Sequence, residues 1–363
     1  MRVLEVITSL LTGGAEKLVL EFQKGLAEAG HQVDIAVFNA VDSPFLREAE
    51  SRSDCRVYKF GHSFYSPLHI LRLMRVMRHY DVVHTHNSSP QLFAAIANIV
   101  CRKKLITTEH NTHNRKREKW LLRLADKWMY RQYAKIVCIS DKAEDLLRGY
   151  IGDSGDITTI YNGIDVEGFY NGNVNGNGNW NVNGTLPEAR DRFVVVMVAA
   201  FRPQKDQKTL VEAMRLLPEN DYELWLAREG ETMDQMKSFV SEQGMEARVT
   251  FLGNRTDVAN VLHSADVVVM STHYEGLSLS NVEGMSVGRP FIATDVDGIH
   301  EVTSGAGILV PHEDAEALAR EIRRLHDDRD YYDSVAQACY ERAKAYDIMN
   351  TIDRYDEVIN IQR

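Results

Sequence analysis

Cysteine is scarce in this 363-residue chain: four residues, Cys55, Cys101, Cys138 and Cys339, none of them in a C-x-x-C pair. That excludes a disulfide framework or a cysteine zinc cluster and leaves isolated thiols in a reducing compartment as the expectation. Long apolar runs are also missing, none reaching the ~18 residues of a transmembrane helix. The opening MRVLEVITSLL has one basic residue and an apolar run broken by Glu5, with Gly13 and Gly14 close behind, so it reads as a first strand rather than a secretion signal. Prolines number only 8, with 44% hydrophobic and 26% charged residues, so disorder should be local. Positive charge is in deficit, at −10 net, which argues against general nucleic-acid binding. The deficit is uneven. Residues 1–165 hold 23 Lys and Arg against 19 Asp and Glu, a balance of +4, whereas 166–363 hold 19 against 33, or −14. The N-terminal half is the one suited to an acidic partner.

What is present is a repeated α/β grammar. Segments 2–7, 33–38, 81–85, 104–108 and 135–139 are short, apolar and rich in Val and Ile, and helical stretches separate them. Such alternation predicts a parallel sheet wrapped by helices. Leu18, Phe22, Leu26 and Ala29 fall on one face of a helix over 17–29. The pattern restarts at FVVVMVAAF (193–201), followed by a basic loop and a helix with Leu210, Met214 and Leu217 as its apolar stripe. Further strands are expected at 223–227, 248–252, 266–270, 290–294 and 307–310. At this length one core is not enough, so two Rossmann-like, doubly wound domains are expected, facing across a cleft. The first spans 1–165 and the second 193–345. A linker, 166–192, contains the Asn/Gly-rich run 171–184, and a helix over 346–363 is expected to pack back toward the first domain.

In EGLSLSNVEG two carboxylates, Glu275 and Glu283, flank small and apolar residues just after the strand ADVVVMS. The run SNVEGMSVG has helical spacing and exits at Gly288-Arg289-Pro290. Its first turn would offer unpaired N–H groups of residues 277–280, which suit phosphate, while the carboxylates suit hydroxyls. A ligand with both, such as a nucleotide-sugar, fits. Spacing alone favours a plainer account, with Glu275 as a helix cap and Glu283 in a surface ion pair.

The run EGLSLSNVEGMSVGRPFIATDVDGIHE (275–301) resembles the E-x7-E signature region of the retaining glycosyltransferases of family 4, which have the GT-B fold. SLLTGGAEK (9–17) is similar to that family's first glycine-rich loop, IYNGIDVEGF (160–169) to its interdomain segment, and PQKDQKTLVEAM (203–214) to its phosphate-contacting loop and helix. VTFLGNRTDV (249–258), which contains Arg255, is similar to its nucleobase-side strand and loop. The resemblance implies that Glu275 contacts donor-sugar hydroxyls, Glu283 the ribose, and the backbone of Gly276, Leu277, Ser278 and Leu279 the sugar and diphosphate. It also implies that Gly13 and Gly14 let the backbone approach the phosphates, that Lys205 stabilises the departing nucleotide, and that His110 lies near the reacting sugar. The family's usual arginine is replaced by Ala200, and Arg202 is expected to supply its charge. Arg228 stands where the family has the first glycine of a Gly-x-Gly turn.

The activity so implied is retaining, metal-independent transfer from a nucleotide-diphosphate sugar, with UDP favoured and no cofactor. The acceptor would be a glycan or a polyprenyl-diphosphate-linked glycan in cell-surface polysaccharide assembly. A sugar-nucleotide epimerase or hydrolase on the same fold, and a non-catalytic sugar-nucleotide sensor, remain alternatives. His84 and His86 share one face at a strand end, and His110 and His113 follow later, a spacing that permits a metal but lacks a clear cluster. Ile70, Leu73, Met74 and Met77 oppose Arg72, Arg75 and His79 on one predicted helix. Residues 115–135 hold 8 Lys and Arg against 2 Asp and Glu, with Trp120, Leu124 and Trp128 at four-residue spacing. Such stripes are usually core on one side and solvent on the other, and that account is favoured; peripheral contact with an anionic membrane is the functional alternative, which the charge asymmetry raises. A cytoplasmic protein at the inner face of the plasma membrane is the corresponding expectation.

Overall fold

Strands that are apolar at nearly every position bury both faces, and that requires a parallel sheet covered by helices on either side. The computed structural model of the chain describes all residues except 12, 111–119, 153, 154, 173–185, 188–191, 256, 276–278, 362 and 363. It divides into two compact units, Met1–Asn162 with Ile348–Arg363, and Gly163–Asp347.

In the first unit the strands are β1 (Arg2–Ile7), β2 (Gln32–Val37), β3 (Val57–Lys59), β4 (Val82–His86), β5 (Lys104–Glu109), β6 (Lys135–Cys138) and β7 (Ile157–Thr159). They form one parallel sheet in the order β3-β2-β1-β4-β5-β6-β7. The order reverses between β1 and β4, the switch point where open sheets of this type bind ligands beyond the carboxyl ends of the strands. The second unit repeats the plan with β8 (Phe193–Val198), β9 (Tyr222–Ala227), β10 (Val249–Gly253), β11 (Val267–Met270), β12 (Phe291–Thr294) and β13 (Ile308–Val310). Their order is β10-β9-β8-β11-β12-β13, again all parallel, with the switch between β8 and β11.

Two strands were not foreseen, β3 and β7. Each has three residues and forms an edge of the sheet, too short for a period-2 pattern to register. The first helix runs Gly14–Glu28 and buries Leu18, Phe22 and Leu26, but Ala29 lies past its end and is exposed. The Asn/Gly-rich run falls almost wholly outside the described residues.

The last helix, Ile348–Asn360, belongs to the first unit. It packs on Gly14–Glu28 at Gly25, where a Cβ would overlap the side chain of Ile352. The Lys104 ammonium donates to the carbonyls of Val358 (2.7 Å), Ile359 (2.9 Å) and Ile361 (2.6 Å). A cation on the unsatisfied carbonyls of a helix's last turn is a favourable cap. The same helix brings the Tyr355 hydroxyl to Thr108 at 2.8 Å.

Candidate functional site

In the second unit the candidate residues lie at the carboxyl ends of the strands. The loop after β8 turns on a hydrogen bond from the Lys205 amide to the Arg202 carbonyl (2.9 Å) and is stitched to the loop after β11. The Asp206 amide donates to Ser271 (3.0 Å), the His273 amide to Gln204 (2.9 Å), the Thr272 hydroxyl to Gln204 (2.8 Å) and the Gln204 side chain to Tyr274 (2.8 Å). Thr272 is itself fixed to β12 through Thr294. Asp206 caps the helix Gln207–Arg215 at the Thr209 amide (3.0 Å).

This stitching puts the Lys205 ammonium against the Glu275 carboxylate, an ion pair with side chains only 12% and 15% exposed. Lys205 also reaches Met270 Sδ at 3.6 Å. Arg202, on the same turn, is exposed. Beyond Glu275 the helix Leu279–Ser286 begins, and Glu283 lies partly buried within it. Its exit at Gly288 is left-handed, φ +69°, as glycine allows. Gly276, Leu277 and Ser278 lie outside the described residues.

The remaining loops add three findings. Arg255 is buried and holds Asp257 with two parallel bonds, Nε to Oδ1 at 2.8 Å and Nη2 to Oδ2 at 2.7 Å. Arg228 adopts φ +92°, a glycine-like backbone, so the turn after β9 keeps its shape although the first glycine is absent. At Gly230 a Cβ would overlap the Phe201 backbone, so glycine is required there.

In the first unit, Gly13 precedes the helix Gly14–Glu28, and a Cβ on it would overlap the Glu16 carboxylate. At Gly14 a Cβ would meet nothing within 4 Å, so no neighbour in the chain demands glycine there. His110 follows β5 directly, and its Nε2 lies 2.9 Å from Nδ1 of His86. His86 Nε2 meets Glu5 Oε2 at 2.7 Å, and His84 Nδ1 meets the same carboxylate at 2.9 Å. His84 Nε2 then reaches the Thr108 hydroxyl at 2.8 Å. Glu5, His84 and His86 are essentially inaccessible. Burial by itself raises a carboxyl, but the two imidazoles outweigh it and hold Glu5 down at about 2. Burial, with His84 close by, pushes His86 down to about 4, and burial with both histidines pushes His110 well below its ordinary value.

Two groups of three among the described residues could each hold a metal by proximity: Glu5, His84 and His86, and Asp206, His273 and His312. In the first, every ring nitrogen already has a hydrogen-bond partner. In the second, His273 Nδ1 and His312 Nε2 meet each other at 2.7 Å. His113 is outside the described residues.

Two family models match the chain: Glycosyltransferase Family 4 over residues 12–167 and Glycosyl transferases group 1 over residues 192–328. The chain belongs to glycosyltransferase family 4. An Escherichia coli relative named UDP-Gal:alpha-D-GlcNAc-diphosphoundecaprenol alpha-1,3-galactosyltransferase is 26% identical, over 77% of this chain and 74% of its own. The Rhizobium meliloti lipopolysaccharide core biosynthesis glycosyltransferase LpsD is 34% identical over 39% of this chain and 42% of its own. Among solved structures, Anabaena HepE in complex with UDP matches with a TM-score of 0.80, covering 99% of both chains at 21% identity. That likeness shows the GT-B fold.

For this family 4 glycosyltransferase, sequence reading named Lys205 and Glu275 for separate parts of a ligand, and the fold pairs them directly. It missed Glu5, noted only as a break in an apolar run. The available signal was a charged residue at an interior position of a strand otherwise buried, which is costly unless partnered. His273 and His312 carried no signal, because their meeting depends on how the loops after β11 and β13 approach.

Proposed function

We propose that this glycosyltransferase transfers a sugar, with retention of anomeric configuration, from a UDP-sugar to a lipid-linked glycan during cell-surface polysaccharide assembly. The observation that carries the reading is the Lys205–Glu275 pair, fixed by two stitched loops at the switch point of the second sheet. A pyrophosphate would draw the Lys205 ammonium to itself, and Arg202 on the same turn would add a second positive charge. Glu275, released from its lysine, would accept hydrogen bonds from sugar hydroxyls. Glu283 would do the same for the ribose. The amide of Leu279, with those of Gly276, Leu277 and Ser278, would complete the diphosphate contact at the helix's leading end. Arg255, anchored by Asp257, would lie on the nucleobase side; Gly13 and Gly14 would serve the donor phosphates and His110 the reacting sugar.

In the reaction the bond from the anomeric carbon to the β-phosphate oxygen breaks, and the acceptor oxygen bonds to the same face of that carbon. The acceptor's proton passes to the departing phosphate, whose growing charge Lys205 stabilises. Relatives support the donor and acceptor classes: HepE is solved with UDP, and the Escherichia coli enzyme is named for UDP-Gal and a diphosphoundecaprenol-linked acceptor.

No helix among the described residues is long and apolar enough to cross a membrane. A lipid-linked acceptor would be met by peripheral contact at the inner face of the plasma membrane. The test is a thermal-shift screen of UDP-, GDP- and ADP-sugars, followed by anomeric analysis of the product made with the stabilising donor. Stabilisation by UDP-sugars and a retained anomer are expected. Stabilisation by another nucleotide alone, or an inverted linkage, would overturn the assignment.

A further inference from the structure

The buried polar chain of the first unit has only one consistent set of proton positions on its His110 arm. The Glu5 carboxylate faces ring nitrogens of both His84 and His86, and an ionised carboxylate only accepts. His86 therefore carries a proton on Nε2. A fully buried imidazole without a second carboxylate stays neutral, which the downward push on His86 to about 4 supports. Its Nδ1 is then a bare lone pair. The group facing that lone pair at 2.9 Å is His110 Nε2, which must donate. Burial beside His86 and His84 keeps His110 neutral as well, so its one proton is on Nε2 and Nδ1 carries none; Nδ1 has no partner among the described residues. The other arm does not alter this result. Whichever way the hydroxyls of Thr108 and Tyr355 point, His84 still gives its Nδ1 proton to Glu5.

We infer that Glu5 and His86 are positioning residues that fix His110 as its Nε2–H tautomer, so that Nδ1 offers a lone pair to a hydroxyl of the bound sugar. The role of that lone pair rests on the glycosyl-transfer reading above, whereas the tautomer does not. A bare imidazole nitrogen attracts a hydroxyl proton and repels a phosphate oxygen, so His110 would orient the sugar and not hold the diphosphate. Phe22, whose ring lies 6.1 Å from that of His86, and Tyr355 close the other side of the chain.

The test is nitrogen-15 NMR of the full chain with labelled histidine, His110 being assigned by the resonances lost in His110→Asn. At pH 7.5 a protonated Nε2 and a bare Nδ1 are expected. A proton on Nδ1, on both nitrogens, or a zinc ion held by His84 and His86 in the purified protein would overturn the inference. In Glu5→Gln the amide can donate to His86 and reverse the chain, so His110 should shift toward Nδ1–H. Turnover should then fall by about tenfold, on the scale of one hydrogen bond lost. Tyr355→Phe should leave the tautomer unchanged. An unaltered His110 in Glu5→Gln would also overturn it, and if that variant fails to fold the wild-type spectrum decides. The tautomer as inferred, with no transfer from any sugar nucleotide, would sink the functional reading alone.

Discussion

Lys205 and Glu275 can be separated by what each is asked to bind. If the ammonium serves the diphosphate and the carboxylate serves sugar hydroxyls, Lys205→Ala weakens binding of UDP and of UDP-sugar alike. Glu275→Gln weakens only the UDP-sugar, by about 10- to 100-fold, the worth of a hydrogen bond to a charged group. Calorimetric titration of both ligands against both variants checks this, and equal losses in Glu275→Gln would reassign that residue. Arg228 makes a second residue-scale case. A non-glycine residue at φ +92° stores about 1–3 kcal/mol of backbone strain. Arg228→Gly should stabilise the second unit by about 1 kcal/mol once glycine's greater freedom in the unfolded chain is subtracted. Gly230→Ala, which drives a methyl into the Phe201 backbone, should destabilise it by about 2 kcal/mol or more. Urea midpoints of the two variants should move in opposite directions.

At the scale of elements, Glu5 on β1, His84 and His86 on β4 and His110 just after β5 satisfy one another where neighbouring strands bring them together. His86 sits near 4 in the fold and near 6.5 in an unfolded chain. The fold favours its neutral form, so its contribution is complete above about pH 6.5 and declines as pH falls toward 4. Glu5, near 2 in the fold against 4.5 when free, contributes fully above about pH 4.5 and loses that contribution on the way to 2. Each proton taken up only by the unfolded chain costs about 1.4 kcal/mol per pH unit. Amide exchange in β1 and β4, corrected for intrinsic rates, should therefore show protection falling between pH 7 and 5, and falling less in His86→Gln. The sequence made the frame of these elements legible, since Val- and Ile-rich runs declared the longer strands and placed Lys205, Glu275 and His110 on loops following them. The partnerships were not legible. Which side chains meet is set by the β1–β4 and β8–β11 switches, and no spacing along the chain encodes that Glu5 lies beside His86 or Lys205 beside Glu275.

For the whole molecule, charge is distributed by unit and not by average. The first unit, residues 1–162 with 348–363, holds 25 Lys and Arg against 21 Asp and Glu, while the second holds 17 against 31. A uniformly spread −10 would be repelled by an anionic surface, so any attachment must present the first unit. That unit also exposes apolar side chains. Leu68 (56%) and Leu71 (64%) lie beside exposed Arg72 and Arg75 on the helix Leu68–Met77, and Leu124 and Trp128 point outward on the helix Trp120–Tyr130. Leu124 and Trp128 are thus exposed, whereas Met129 and Tyr130 of the same helix are buried. Each basic residue near an anionic surface contributes about 1 kcal/mol, screened over about 8 Å at physiological salt. The protein should float with phosphatidylglycerol vesicles at low salt, leave them near ~0.5 M salt, where the screening length is only a few ångström, and ignore neutral phosphatidylcholine. Arg72→Glu with Arg75→Glu should weaken flotation at least about tenfold, since each reversal removes an attraction of that size and adds a repulsion. Binding to neutral vesicles as tight as to anionic ones would remove the electrostatic part of the argument, and no binding at low salt would remove membrane attachment altogether.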